Sequence, residues 1–492
     1  MKNFIVAIDQ GTTSTRSILF DLNGKPIFTC KKEFKQYFPK NGWVEHNPNE
    51  IWKTTINVLT KVINKSKKLK GKILTIGITN QRETIILWDK KTGKCVYNAI
   101  VWQDRRTHDL CKKLKKKGYE KIIRSRTGLI LDPYFSGTKI KWILDNVSIA
   151  KKLLKKKRLL FGTIDTYLVW KLTSGKIHAT DSTNASRTMI FNIKKNVWDK
   201  KLLNLLKIPE SILPYVKNSA DNFGETSKSI TNESYSINGI IGDQQAAAIG
   251  QGCFKTGSTK ITFGTGAFAI MNTGNKILKS KNKLLSTICY RIDNKTTFAL
   301  EGSIFIAGAG IQWLRDKLKI IKHANVTEKI SLNLKNNNNV YFVPAFTGLG
   351  APYWRSDARG TLTGLTRDTG RDEIIRATLE SVAYQTFDLL KSMKKNGINP
   401  KLMKVDGGMV QNNWFLQFLS NITRLVIIRP KDSETTALGA ALIAGYGKGI
   451  YKSLPNFSKK LKISKKFSPK MAHKQRLKLL NGWIQAIRKT LI

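Results

Sequence analysis

The sequence predicts an α/β protein made of two lobes with related cores, and three observations favour this fold class. Short β-rich runs alternate with stretches of helical periodicity along the chain. A strand–turn–strand segment rich in glycine and hydroxyl side chains occupies residues 5–21, and a similar one occupies residues 260–271. The length of 492 residues suggests about two to four domains. We therefore expect an N-terminal lobe over residues 1–250 and a C-terminal lobe over residues 251–492.

The turn of the first segment carries the groups that a nucleotide phosphate needs. After the apolar residues 5–8, the chain offers a carboxylate, a glycine, four hydroxyl side chains and an arginine, namely Asp9, Gly11, Thr12, Thr13, Ser14, Thr15 and Arg16. Amides of a glycine turn, hydroxyl donors and a cation bind phosphate, and a carboxylate can hold Mg²⁺. The segment has neither the Gly-Lys-Ser/Thr of a Walker loop nor a Gly-x-Gly-x-x-Gly fingerprint. An ordinary polar hairpin is the alternative interpretation.

Two later glycine turns extend this pattern. Gly264-Thr265-Gly266 lies between two apolar runs, and Gly407-Gly408 lies between an apolar strand and the start of a helix. The double glycine would let a base or a ribose approach the backbone closely. Two lobes that each carry a phosphate-binding hairpin would hold a nucleotide in the cleft between them.

Asp243 follows the apolar residues 240–242 and precedes the small residues 246–250. A lone carboxylate between a strand and a helix is a plausible general base. The alternative is an aspartate that caps the helix, which is the more common role of such a residue.

Local patterns predict further elements in chain order. Strands are predicted over residues 73–78, 85–88 and 159–161, and helices over residues 48–66, 140–145 and 374–394. The basic runs 112–117 and 151–158 contain leucine at helical spacing, which is typical of the solvated faces of amphipathic helices.

The net charge of +53, from 86 Lys and Arg against 33 Asp and Glu, is the strongest compositional feature. A nucleic-acid or acidic-surface binder is one interpretation. However, the basic runs lack interleaved aromatic side chains for base stacking, and lysine, asparagine and isoleucine are abundant together. We favour compositional drift and expect no nucleic-acid partner. The positive field would still attract an anionic substrate such as ATP.

The cysteines and histidines indicate no metal or disulfide site. The five cysteines are scattered without a Cys-x-x-Cys pair, and the five histidines lack metal-ligand spacing. Neither a membrane-length apolar stretch nor a cleavable signal is evident. We expect a cytoplasmic protein without integral membrane contact.

Taken together, the motifs resemble those of the FGGY family of carbohydrate kinases over nearly the whole length. Residues 134–142 (YFSGTKIKW), with Asp145 and Asn146, resemble one signature pattern of the family, and residues 360–365 (GTLTGL), followed by residues 373–380, resemble the other. Segments similar to those of family members that act on glycerol are GWVEH at 42–46, TNQRET at 79–84, AIVWQ at 99–103, DSTNASRT at 181–188 and PAFTGLGAPYW at 344–354.

The resemblance implies the two-lobed actin–hexokinase–Hsp70 fold, which is ribonuclease H-like, with a duplicated core that closes on ATP. It implies a kinase that uses ATP and Mg²⁺ to phosphorylate glycerol to sn-glycerol 3-phosphate in glycerol catabolism. Because family members are commonly dimers or tetramers, it also implies a homodimer or a homotetramer.

The resemblance further implies roles for individual residues. Glycerol would be bound by Arg82, Glu83, Trp102, Tyr134, Asp243, Gln244 and Phe268. ATP would be bound by Thr12, Thr13, Ser14, Arg16, Thr265, Gly308, Gln312, Gly408 and Asn412. Asp9 would hold Mg²⁺ through water, and Asp243 would be the general base.

The chemistry of these side chains suits a small polyol. Arg82 only donates hydrogen bonds, Glu83 and Asp243 mainly accept them, and Gln244 does both, so three hydroxyls can be paired. The alternatives are a surface ion pair for the adjacent Arg82 and Glu83, and ordinary core packing for the aromatic residues.

Two other functions stay open at this level. One is a family kinase that acts on a ketopentose or a sugar acid, and the other is a non-catalytic actin-like ATPase scaffold or nucleic-acid binder. Some family members carry a loop that binds fructose 1,6-bisphosphate at the position of residues 227–236, but here it contains no glycine and no arginine. Residues 469–476, where some members dock a sugar-transport regulator, are basic. We expect neither control.

Overall fold

The computed structural model describes residues 2–280, 282, 284–355 and 357–492. In the first half of the chain, the elements are β1 (Lys2–Gln10), β2 (Ser14–Asp21), β3 (Pro26–Glu33), β4 (Gln36–Tyr37), β5 (Glu45–His46), α1 (Pro48–Lys68), β6 (Gly71–Asn80), β7 (Ile85–Asp89), β8 (Ala99–Ile100), α2 (His108–Lys116), α3 (Glu120–Thr127), α4 (Ser136–Asn146), α5 (Ser148–Lys155), β9 (Leu159–Thr163), α6 (Ile164–Leu172), β10 (Ala179–Asp181), α7 (Ser182–Ala185), β11 (Phe191–Asn192), β12 (Val197–Trp198), α8 (Lys200–Leu206), a 3₁₀ turn (Glu210–Ile212), β13 (Tyr215–Lys217), α9 (Lys228–Thr231), β14 (Ile237–Gly242) and α10 (Asp243–Gly250).

In the second half, the elements are β15 (Ser258–Phe263), β16 (Ala267–Gly274), β17 (Leu285–Ile292), β18 (Lys295–Ile304), α11 (Gly308–Asp316), α12 (Val326–Asn333), β19 (Tyr341–Val343), β20 (Thr361–Thr363), α13 (Arg371–Lys394), β21 (Leu402–Asp406), a 3₁₀ turn (Gly408–Gln411), α14 (Asn413–Thr423), β22 (Val426–Pro430), α15 (Thr435–Gly447), α16 (Leu454–Ser458), β23 (Ile463–Phe467) and α17 (His473–Thr490).

The main sheets of the two halves share one strand order. In the first sheet, β14, β6 and β1 run parallel, and β2 and β3 continue from β1 in antiparallel pairs. In the second sheet, β22, β21 and β15 run parallel, and β16 and β18 continue from β15 in antiparallel pairs, while β17 and β23 extend the two edges. The shared order confirms the predicted related cores. It also explains why the two glycine turns resemble each other.

Helices cover both faces of β1, which is why it is a continuous apolar run. Phe4, Val6 and Ile8 pack in one cluster with residues of α1, whereas Ile5 and Ala7 pack in another with residues of α15. Successive side chains of a strand point to opposite faces of its sheet. A helix from the second half of the chain therefore completes the core of the first sheet.

The helices α10 and α15 cross with their backbones in close contact. A Cβ atom at Gly250 would lie 1.9 Å from the Thr435 carbonyl oxygen, and one at Gly439 would lie 1.8 Å from the Ala246 carbonyl oxygen. No larger residue fits at either position without separating the helices. This contact joins the two halves of the chain.

The predicted elements are present and mostly longer than predicted, since β6 spans Gly71–Asn80 and α13 spans Arg371–Lys394. The basic runs lie in or next to α2 and α5, as predicted. The first turn contains fewer residues than predicted, because Asp9 belongs to β1 and Arg16 to β2, where the two residues pair directly opposite each other. The division at residue 250 stays a prediction, because α15 packs on the sheet of the first half.

Two further observations concern the chain as a whole. All five cysteines are free thiols, and three of them are buried. Within the described ranges, no helix is both long enough and apolar enough to cross a membrane.

Candidate active site

Polar residues at the carboxyl ends of the central strands meet in one cleft. Arg82 and Glu83 follow β6, Asp243 follows β14, and the β1–β2 turn lies at the same edge of the sheet. Carboxyl ends of parallel strands gather at one edge, which is where α/β sheets bind their ligands. Side chains of the second half reach this edge as well, since Glu301 of β18 contacts Arg82.

Arg82 lies at the centre of a buried network of charges. Its guanidinium donates from Nη1 to Glu301 Oε2 at 2.6 Å and from Nη2 to Glu301 Oε1 at 3.3 Å, and its Nε lies 3.1 Å from Asp243 Oδ1. The side chain passes over Gly242, where a Cβ atom would lie 2.8 Å from Arg82 Cδ. A larger residue at position 242 would therefore displace the arginine.

Arg187 completes this network. It is fully buried, and it donates from Nε to Glu83 Oε1 at 2.6 Å and from Nη2 to Glu301 Oε1 at 2.8 Å. Burial acts to raise the pKa of Glu301, but Arg187 and Arg82 hold that pKa below its ordinary value. Glu301 is therefore ionised at neutral pH and orients both guanidinium groups.

Glu83 has a left-handed backbone with a φ of 63°, which is uncommon for a residue other than glycine. Its carbonyl oxygen accepts hydrogen bonds from Ser136 Oγ at 3.0 Å and from Lys139 Nζ at 3.4 Å. Lys139 is fully buried and also donates to the Tyr134 carbonyl oxygen at 2.7 Å. Burial lowers the pKa of Lys139 to about 7. These contacts hold the strained turn that presents Arg82 and Glu83 side by side.

Asp243 is the first residue of α10, and Gly242 occupies the N-cap position that the alternative interpretation gave to the aspartate. Its Oδ1 accepts a hydrogen bond from the Gln244 amide at 2.6 Å, and its side chain is 30% exposed. Burial raises the pKa of Asp243 to about 6, and Arg82 and Lys260 act against this rise. The carboxylate is therefore mostly ionised at pH 7, with a pKa close to the value that favours a general base.

Three aromatic side chains form a wall beside these charges. The ring of Trp102 lies 5.7 Å from that of Tyr134 and 6.1 Å from that of Phe268, with both pairs nearly perpendicular. All three are half-buried, and burial raises the pKa of the Tyr134 hydroxyl well above its ordinary value. Phe268 comes from β16, so both halves contribute to the wall. Apolar faces of this kind suit the carbon side of a small polar ligand.

The first glycine turn is tied to this wall and to the second half. Trp102 Nε1 donates to Thr12 Oγ1 at 3.1 Å. Arg16 forms a salt bridge with Asp9 and donates from Nη1 to Glu434 Oε2 at 2.8 Å. Arg16 thus stands beside the turn, but carboxylates already engage its guanidinium.

A cavity of about 500 Å³ lies in the second half. The five residues predicted there to bind ATP, which are Thr265, Gly308, Gln312, Gly408 and Asn412, all line it. A Cβ atom at Gly408 would meet nothing within 4 Å, so this backbone is open to a flat ligand. Asn412 also has a structural role, because its side chain caps α14 by accepting a hydrogen bond from the Phe415 amide at 2.8 Å.

The donor set fits Mg²⁺ held mainly by phosphate and water. Among the described residues, no group of three or more histidine, cysteine or acidic side chains could hold a metal ion. Mg²⁺ in phosphoryl-transfer sites usually takes one or two carboxylates together with substrate phosphates and waters. Asp9, which is 3% exposed at the end of β1, is such a single carboxylate.

The structure brings the predicted site residues to three places. Arg82, Glu83, Trp102, Tyr134, Asp243, Gln244 and Phe268 lie around the charge network and its aromatic wall, whereas the remaining residues lie at the first turn or around the cavity.

Motif-based reasoning missed four charged residues of the site, namely Arg187, Lys260, Glu301 and Glu434. A signal was present for two of them. Arg187 lies inside the recognised segment 181–188, and Glu301 is a lone carboxylate directly after the apolar residues 298–300 of β18.

Known proteins match this chain over its full length. The family model described as the N-terminal domain of the FGGY family of carbohydrate kinases matches residues 4–250, and the model of the C-terminal domain matches residues 259–447. The glycerol kinase of Thermoanaerobacter pseudethanolicus is 54% identical over 492 residues, covering 100% of this chain and 99% of the relative. That of Chelativorans sp. is 52% identical over 494 residues, with the same coverage.

Solved structures agree with these matches. A crystal structure of Plasmodium falciparum glycerol kinase with ADP superposes with a TM-score of 0.95 at 39% identity, covering 100% of this chain and 99% of that one. A xylulose kinase from Lactobacillus acidophilus superposes with a TM-score of 0.88 at 23% identity, which shows a shared fold.

The fold and the cleft thus define a two-lobed sugar-kinase architecture. The chain belongs to the FGGY family of carbohydrate kinases.

Proposed function

We propose that this chain transfers the γ-phosphoryl group of ATP to glycerol, giving sn-glycerol 3-phosphate and ADP in glycerol catabolism. The observation that carries this proposal is the partly exposed Asp243 carboxylate, which lies beside Arg82 in a cleft bordered by both halves. The relatives described above are glycerol kinases, and one of them was solved with ADP.

The charge network and the aromatic wall would hold glycerol from opposite sides. Arg82 would donate to glycerol oxygens, and Glu83 would accept from a hydroxyl. Trp102 and Phe268 would contact the carbon chain, and Tyr134 would offer its neutral hydroxyl. A buried site must pair all three hydroxyls of glycerol, because each unpaired polar group costs about 1–3 kcal/mol.

Asp243 would act as the general base. Its Oδ1 is engaged by the backbone amide of Gln244 and by Arg82, so its other oxygen is available to a terminal hydroxyl of glycerol. As that hydroxyl oxygen attacks the γ-phosphorus in line with the leaving ADP, its proton passes to the Asp243 carboxylate. Most of the rate acceleration comes from positioning and from the neutralisation of charge.

The two glycine turns would hold ATP from both halves. Thr12, Thr13, Ser14 and Arg16 would meet the phosphates on one side and Thr265 on the other. Gly308, Gln312, Gly408 and Asn412 would flank the nucleoside in the 500 Å³ cavity. Bound Mg²⁺ would neutralise charge on the β- and γ-phosphates, with Asp9 as the carboxylate that holds it. Closure of the lobes, 1–250 and 251–492, would exclude water.

The setting of the enzyme completes the proposal. We place it in the cytoplasm as a homodimer or a homotetramer, without a nucleic-acid partner.

A coupled assay of ADP release over a panel of polyols, ketopentoses and sugar acids tests the proposal. Glycerol should be phosphorylated with the highest kcat/KM. If only a ketopentose or a sugar acid is phosphorylated, that compound is the acceptor and glycerol is not. Absence of turnover on every compound, together with salt-sensitive RNA binding, would favour a scaffold.

Added fructose 1,6-bisphosphate should not inhibit the activity, because residues 227–236 lack both glycine and arginine.

A further inference from the structure

Lys260 is a buried lysine from the second half that reaches the acceptor side of the cleft. It lies on β15 with no exposed surface, and its Nζ donates to Gln244 Oε1 at 2.7 Å. Gln244 belongs to α10 of the first half and directly follows Asp243. The contact therefore links the two halves beside the proposed general base.

This contact determines which end of the side-chain amide of Gln244 faces the cleft. An ammonium group has three donors and no acceptor, so it pairs with the amide oxygen and not with the amide nitrogen. With Oε1 engaged by Lys260, the Nε2 donors of Gln244 remain for a ligand. Gln244 is half-buried, so its side chain is accessible to a small molecule.

Charged groups on several elements face Lys260 and Asp243. Burial lowers the pKa of Lys260, and Asp406 and Asp243 act against this, while Arg82 and Cys253 are further neighbours. Asp243 is faced by Arg82, Glu83 and Lys260. Lys260 also acts on Glu301. A cation at position 260 therefore favours the ionised form of Asp243.

We propose that Lys260 is a positioning residue that fixes the Gln244 amide so that Gln244 donates a hydrogen bond to a glycerol hydroxyl. Lys260 does not touch the substrate in this scheme and acts through Gln244. Its charge also helps to keep Asp243 ready to accept a proton. The inference rests on the proposed function, since it concerns how the same acceptor site recognises its substrate.

Four variants test this role: Lys260→Met, Gln244→Ala, the double variant and the control Lys404→Met. Lys404 pairs with Lys260 on the adjacent strand β21, but its ammonium contacts the carbonyl oxygens of Gln251 and Gly252. Lys260→Met should raise the KM for glycerol by about tenfold or more, because the hydrogen bond from Lys260 that fixes the side-chain amide of Gln244 is lost. In the double variant, KM should differ from that of Gln244→Ala by less than about threefold, because the effects of substitutions at residues that act through one another are not additive.

The pH profile separates positioning from mere structural support. In Lys260→Met, the apparent pKa of the acidic limb of kcat/KM should rise, because Lys260 opposes the rise in the pKa of Asp243 that burial causes, and in Lys404→Met it should stay at the wild-type value. Lys260→Gln replaces Lys260→Met in this test if the methionine variant does not fold. It retains a neutral donor, so it should show a smaller rise of KM with a similar change of the pH profile.

Two results would overturn the inference. One is an unchanged KM and pH profile in both Lys260 variants, and the other is full additivity of Lys260→Met with Gln244→Ala. Failure of the wild-type protein to phosphorylate glycerol would instead overturn the proposed function, so the two failures are distinguishable.

Discussion

Arg82 and Glu301 meet in a two-pronged ion pair between the two halves of the chain. Nη1 of the arginine lies 2.6 Å from one carboxylate oxygen, and Nη2 lies 3.3 Å from the other. Both side chains are only 2% exposed. Because Glu301 also accepts from Arg187, a single carboxylate of the second half orients two cations of the first.

Glu301→Gln should destabilise the protein and weaken glycerol binding. The substitution keeps the size of the side chain but leaves two buried guanidinium groups without their shared anion, which costs about 3–5 kcal/mol when a buried pair is broken. Urea unfolding monitored by tryptophan fluorescence measures the loss, and a glycerol titration measures the KM. Glu33→Gln, which removes an exposed partner of Lys31, is the matched control. Equal stability of the two variants would show that the network is not a structural requirement.

Asp243→Asn should lower kcat by roughly 10²–10⁴-fold, the usual contribution of general-base catalysis. The amide keeps the shape of the side chain but cannot accept the proton. Steady-state kinetics give the turnover, and calorimetric titration should show that glycerol still binds. Wild-type turnover in this variant would remove Asp243 from the role of base.

Activity should fall on the acidic side with a midpoint near pH 6. Burial raises the pKa of Asp243 to about 6, and the base must be ionised to accept a proton. As the pH falls through this value, the carboxylate is protonated and kcat/KM for glycerol declines with unit slope. A profile measured from pH 4.5 to 8 checks this, provided that circular dichroism shows a folded protein throughout. A flat profile down to pH 5 would contradict the assignment.

Lys139→Met should change how stability depends on pH. Burial lowers the pKa of Lys139 to about 7, far below its value in an unfolded chain. Between pH 7 and about 10 the unfolded state therefore binds more protons, so this group makes the wild-type free energy of unfolding rise with pH, by at most about 1.4 kcal/mol per pH unit. Unfolding of both proteins at pH 7, 8 and 9 measures the difference in slope. Parallel pH dependences would contradict a shifted Lys139.

Gly408→Val should impair ATP binding without impairing the fold. Nothing lies within 4 Å of a Cβ atom at this position, and the residue lines the nucleotide cavity. We expect the KM for ATP to rise roughly tenfold, equivalent to about 1.4 kcal/mol, while the KM for glycerol and the melting temperature stay near wild type. An unchanged KM for ATP would place the nucleoside elsewhere.

Much of the fold was predictable from local sequence. The two glycine turns, the strands around them and the strand–helix junction at Asp243 all follow from short apolar runs that end at glycine or polar residues. The substrate-side residues Arg82 and Trp102 needed family resemblance, because an adjacent ion pair and a lone tryptophan have common structural roles of their own.

The rest of the site depends on contacts between distant parts of the chain. Glu301 reaches Arg82 across 219 positions, and Glu434 reaches Arg16 across 418. Periodicity describes a strand and its two faces, but it does not say which strand of the other half lies opposite. Lys260 illustrates this, because a lysine in a strand is ordinarily read as a solvated residue until the packing of α10 shows it buried.

The packing of α15 on β1 connects the order of synthesis to the order of folding. Ile5 and Ala7 are synthesised long before Thr435, yet the cluster that covers them includes Leu438 and Leu442 of the helix that begins at Thr435. Until that helix has left the ribosome, the first sheet has a bare apolar face. A nascent or truncated chain that stops short of Thr435 therefore cannot complete its first core, and it exposes a surface that favours aggregation.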